Sequence, residues 1–150
     1  MKPCFVLLGV FGISLWGTHL YYAHVNWTLS GRIALSAMLL FSAMGHFIFR
    51  KGMALMIPKR IPYKNTIVFV TGIIEILLAL GLFLPEYQLV SAWGLILFLL
   101  GVLPANIYAA QKHLDYQQGT YDGKGPKYLY IRIPMQVLFI AWTYFSAILA

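Results

Sequence analysis

This sequence predicts an all-α fold, a bundle of membrane-spanning helices, and three observations predict it. Hydrophobic residues make up 61% of the chain and charged ones only 10%. Soluble domains carry about 25% charged residues. The apolar residues fall into five runs, each long enough to cross a bilayer as a helix, which takes about 20 residues. The basic residues lie in the short segments between runs: alternating the spans puts ten of the eleven Lys and Arg on one side, with Arg32 alone opposite. By the positive-inside rule that side is cytoplasmic, so the N-terminus is expected inside and the C-terminus outside. A bacterial inner membrane is the expected setting.

The runs are taken as one membrane domain over residues 1–150, with helices at about 3–22, 31–49, 66–84, 89–108 and 131–149. The first has Lys2 at its head and could be a signal peptide. It lacks a clean small-x-small cleavage site and is long and aromatic, so a retained helix is expected. Tyr21, Tyr22 and Trp27 at its far end suit a membrane interface. The second, opened by Ser30 and Arg32, carries Ala34, Ser36, Ala37, Ser42, Ala43 and Gly45, which permit close helix approach. Leu35, Leu39, Ser42 and His46 share one of its faces. Arg50–Asn65 mixes basic and apolar residues. It reads equally as a segment lying among headgroups and as a plain connection.

The third run has one acid at its centre, Glu75. A carboxylate there costs roughly 2.5–3.5 kcal/mol on insertion scales and marks a functional site by default. Gly72 and Ala79 flank it and predict a face packed on protein. In the fourth run Pro104 frees the carbonyl of Leu100, and Asn106 follows. Residues 111–130 read as a solvated loop, with His113 in a mobile part of it. The fifth run places Pro134 in its first turn, and Arg132 and Gln136 on one face.

At 1.5 Å per residue Glu75 lies about 13 Å into its helix from the cytoplasmic side, and His46, Asn106 and Gln136 about 5–8 Å from theirs. Arg132 sits at the boundary. Polar groups in lipid turn toward one another, which predicts a polar pocket open to the cytoplasm with Glu75 at its floor. The plainer reading is structural: interhelical polar contacts are common and average about 0.6 kcal/mol.

Other classes fall away. The net charge of +7 is explained by topology and anionic headgroups, and no nucleic-acid-binding pattern accompanies it. One cysteine, Cys4, makes neither a disulfide within the chain nor a zinc cage. No metal site is expected.

The chain resembles the DoxX-like membrane proteins over roughly Arg32–Trp142. The resemblance rests on Gly45-His46-Phe47, Met56 and Pro58, Gly72 with Glu75, Gly81-Leu82, Trp93-Gly94, Pro104-Ala105-Asn106, and Arg132, Pro134, Gln136 with Trp142. It implies a four-helix core made by the last four spans, with the first added to it. It also implies a place among membrane redox subunits or assembly factors, without fixing an activity. The expected function is a redox-linked subunit that binds a quinone or similar isoprenoid or lipid. Glu75 and His46 exchange protons with the ligand, while Asn106, Arg132 and Gln136 bind it. The alternative is a non-catalytic assembly factor, or a protein that binds a lipid or a partner's helix. Expected partners are the bilayer, other redox subunits and, through the small-residue strips, a second copy.

Overall fold

A computed structural model describes residues 2–149. Its helices are α1 (Lys2–Tyr22), α2 (Trp27–Ile48), α3 (Arg50–Ala54), α4 (Lys64–Gly81), α5 (Gln88–Gln111) and α6 (Lys127–Thr143), the last continued by one π-helical turn, Tyr144–Ile148. Five of them, all except α3, are long and apolar enough to cross a membrane. Among the described residues, Asp115 and Thr120 form the one isolated β-bridge.

Helix ends depart from the sequence expectation by a few residues, each for a local reason. Helix α2 begins at Trp27 because Asn26 caps it: its side-chain oxygen accepts the Leu29 N–H at 3.0 Å, satisfying one of the orphan donors of the first turn. Helix α4 ends at Gly81, and short turns carry the chain through Leu82–Tyr87, with Leu84 N–H donating to Gly81 O. Helix α6 starts at Lys127, so Pro134 lies in its interior and not in its first turn. The carbonyl that Pro134 leaves unpaired is that of Tyr130, an exposed residue near the helix start.

Helices α2, α4, α5 and α6 form the bundle, and α1 packs on the outside against α2. Leu35, Leu39, Leu82 and Leu95 are fully buried at its centre, and Leu7 brings α1 into the same core. Small residues at the interfaces let the backbones approach. Ser36 Oγ reaches across from α2 to donate to Ala79 O of α4 at 3.0 Å.

One end of the bundle is pinned by polar contacts. Arg32 donates to Gln88 Oε1, and Gln88 Nε2 donates to Ala147 O at 2.9 Å. Trp142 Nε1 donates to Gly31 O at 3.1 Å, and the Phe11 ring of α1 meets the Trp142 ring edge-on. A side chain at residue 31 would meet Ser146 Cβ at 2.8 Å, so glycine sets the closeness of α2 to the final turn. That turn has Leu149 N–H donating to Tyr144 O, while Thr143 and Ser146 return their hydroxyls to Phe139 and Trp142 carbonyls.

At the other end the two long connections are folded structures. Helix α3 packs on the 112–126 loop: Gly52 is buried under the Tyr116 backbone, and the Phe49 and Tyr116 rings meet edge-on. The loop is solvated, as expected, and is closed by hydrogen bonds of its own. Asp115 Oδ1 accepts the N–H groups of Gln117 and Gln118. Gly123 N–H donates to His113 O at 2.7 Å. Gly125, at φ +67°, lies against the His113 ring.

Candidate functional site

Helices α2, α4, α5 and α6 enclose a cavity of about 330 Å³ in the half of the bundle away from the Arg32–Gln88 contact. That is within the size range of small-ligand pockets. Glu75, His46, Asn106, Arg132 and Gln136 all line it. The five residues singled out from sequence therefore meet in one space.

The cavity has an acid–base pair. Glu75 is only 4% exposed, and its Oε2 lies 3.0 Å from His46 Nε2, the only such pair among the described residues. The contact is close, yet Oε2 meets no aligned hydrogen-bond donor. The far side of the imidazole fixes its tautomer. Nδ1 faces Val68 O at 3.2 Å and Thr71 Oγ1 at 3.1 Å. Thr71 itself donates to Val68 O at 2.9 Å. A carbonyl only accepts, so Nδ1 carries a proton and is shared between the two oxygens. In the net-neutral state the pair then holds one further proton, whether as imidazole with carboxylic acid or as imidazolium with carboxylate. That state buries no uncompensated charge, which makes a mid-helix acid tolerable.

Backbone packing positions the pair. Gly72 lies directly against His46, and a Cβ there would meet His46 Cβ at 2.9 Å and Phe47 Cζ at 3.2 Å. Glycine at 72 thus brings α2 close enough for His46 to reach Glu75, one helical turn further along α4.

The two amides differ. Gln136 donates its Nε2 to Leu99 O. The acceptor is not the carbonyl that Pro104 frees, which belongs to Leu100. The contact fixes the amide, because only the NH₂ group can face a carbonyl. Gln136 Oε1 is left buried and unpartnered, as is Asn106 Nδ2. Arg132 is half-buried at the rim and has no ion-pair partner among the described residues.

The remaining wall is apolar. Met53, Met56, Ile57, Pro58 and Ile61 turn inward from the segment after α2 and cover the cavity. This basic connection is therefore a lid as well as a link, with Arg50 set over the Phe69 ring at 5.8 Å. Pro3 of α1 reaches the same cavity from the side. Sequence reasoning passed over the lid as a wall and also missed Thr71. The signal for Thr71 was its place four residues before Glu75, on the same helical face. For the lid it was the apolar residues spaced through a basic loop.

A family model described as "Domain of unknown function (DUF8561)" matches residues 35–147. The match runs from α2 into the final π turn, so it takes in every wall of the cavity except the contribution of α1. No curated protein and no solved structure matches the chain.

Proposed function

The chain belongs to the DUF8561 family, and from its cavity we propose that it is a membrane protein binding an apolar ligand with a polar head, of the quinone or isoprenoid class, as a redox-linked subunit. The observation that carries this reading is the pair of buried amide atoms without partners, Asn106 Nδ2 and Gln136 Oε1, together with the His46–Glu75 pair, on residues lining one largely apolar cavity. A buried polar atom left unpaired costs about 1–3 kcal/mol. Two such atoms on the walls that carry the His46–Glu75 pair suit a ligand head that completes them. The resemblance to DoxX-like proteins agrees with this reading.

In this reading the ligand head is what would accept or supply hydrogen bonds and, for a quinone, take up electrons and protons. Asn106 and Gln136 orient the head. Glu75 and His46 hold one further proton as a pair and can pass it to or from a group beside them. His46 Nδ1, held by Val68 O and Thr71, keeps the imidazole in register through the transfer. Arg132 at the rim stabilises negative charge on the head and attracts anionic species. The lid residues exclude water and cover the apolar body.

The test is mass spectrometry, with an absorbance spectrum, of what co-purifies with wild type and Glu75→Gln in mild detergent. A stoichiometric quinone or isoprenoid, lost in the variant, is the expected result. Bulk phospholipid alone in both samples would sink the proposal and turn attention to a partner protein.

The reading places the cavity at the cytoplasmic side, because the basic connections lie at that end. A C-terminal reporter active only outside the cytoplasm is expected to work, and one active only in the cytoplasm to fail. The reverse would invert the topology.

A further inference from the structure

We infer that the chain carries a second binding site, for the headgroup of an anionic phospholipid, at the seam between the α2–α3 junction and the 112–126 loop. It is separate from the cavity described above and stands without the reading of that cavity.

A pocket of about 420 Å³ opens at this seam and shares no lining residue with the cavity. Among the described residues, Arg50 and Lys51 are the charged ones that line it, and both are exposed. None of the chain's four acids lines it. Glu75 is buried within the bundle, and Glu86 lies in the turn before α5, at the opposite end. Asp115 is turned to its own backbone, where Oδ1 accepts the Gln117 and Gln118 N–H groups. Asp122 accepts from Thr120 Oγ1. The pocket thus offers positive charge with no acid of its own to balance it. Asn65, Gln117 and Gln118 also line it, and their NH₂ groups are donors. A guanidinium, an ammonium and amide donors in one concavity suit the oxygens of a phosphate.

Position assigns the phosphate to a lipid. Phe47 and Ile48, exposed residues at the end of the α2 span, form the pocket's membrane edge. The Phe47 ring meets the exposed Phe69 ring of α4 edge-on. The Arg50 guanidinium lies 5.8 Å from the centroid of that Phe69 ring. Charge therefore stands directly over an apolar ledge, which fits a headgroup with its acyl chains running down from it. A soluble phosphate gains nothing from the ledge. A zwitterionic headgroup brings a cation to a pocket that has no acid to receive it.

Native mass spectrometry of the full chain in a non-ionic detergent tests this. The probes are dihexanoyl phosphatidylglycerol, dihexanoyl phosphatidylcholine and glycerol phosphate. A non-ionic micelle has no surface charge, so retention reports a built site and not the diffuse attraction of basic residues to a membrane. The variant is Arg50→Gln with Lys51→Gln. The control is Lys59→Gln with Arg60→Gln, which removes the same charge from the same connection at exposed residues outside both pockets. Phosphatidylglycerol is expected to bind about tenfold or more tighter than either other probe, with that binding lost in the variant and kept in the control. Equal loss in both would reduce the site to diffuse charge and overturn it. Phosphatidylcholine bound as tightly would overturn the anionic head. Glycerol phosphate bound as tightly would overturn the lipid and leave a soluble phosphate as the ligand. Binding that survives the variant, or no binding of any probe, would overturn the site itself.

Discussion

Gly72→Ala is expected to disable the cavity while leaving the five spans intact. The added methyl would sit 2.9 Å from His46 Cβ and 3.2 Å from Phe47 Cζ. The first of these atoms is fixed to the α2 backbone and cannot swing aside, so α2 and α4 must separate or His46 must tilt away. Overpacking of this kind costs about 1–3 kcal/mol, which for a chain of this size lowers the melting temperature by about 2–10 °C. Tilting His46 breaks its 3.0 Å approach to Glu75, so ligand binding should fall about tenfold or more. Gly9→Ala in α1 is the matched control, since nothing lies within 4 Å of the added carbon. Thermal melts and ligand titrations of the two variants check this. Equal behaviour of the two would show that the α2–α4 approach does not position the pair.

Gly52→Ala is expected to lift the lid. A methyl at residue 52 would fall on the backbone carbonyl of Tyr116, and backbone cannot yield as a flexible side chain can. Helix α3 must then leave the 112–126 loop, taking Met53 and Met56 away from the cavity. Hydrogen exchange is the suitable measurement, because it resolves local opening from global unfolding. Exchange at residues 50–61 and 112–126 should quicken about tenfold or more, the equivalent of an overpacking cost of about 1–3 kcal/mol, with α2, α4 and α5 unchanged. Faster exchange throughout the bundle would mean instead that α3 supports the whole fold.

The five spans and the meeting of Glu75, His46, Asn106, Arg132 and Gln136 were legible in the sequence because the bilayer supplies strong rules. It sets helix length, and it makes polar groups in one leaflet seek one another. The lid was not legible, because it depends on a close approach between segments more than 60 residues apart, Gly52 on Tyr116. Nor were the contacts within the 112–126 loop. Gly123 and Gly125 lie against His113 there, and Asp115 turns the backbone with its own side chain, contacts that composition alone does not specify. The start of α2 was missed because Asn26 stands among interfacial aromatics, where its capping role is masked. Pro134 was misplaced for the complementary reason: α6 begins at Lys127, before the apolar run does.

The central claim is that one ligand lies among α2, α4, α5 and α6 beneath the lid, with its head at the His46–Glu75 pair. Photo-crosslinking tests it most directly, using an isoprenoid probe with a photoreactive group beside its polar head and mapping the labelled peptides. The account predicts labels on residues around Ser42 and His46 of α2, Thr71 and Glu75 of α4, and Gln136 of α6, all suppressed by excess unlabelled probe. Labels confined to outward-facing positions such as Leu97 and Val137, and indifferent to competitor, would contradict it.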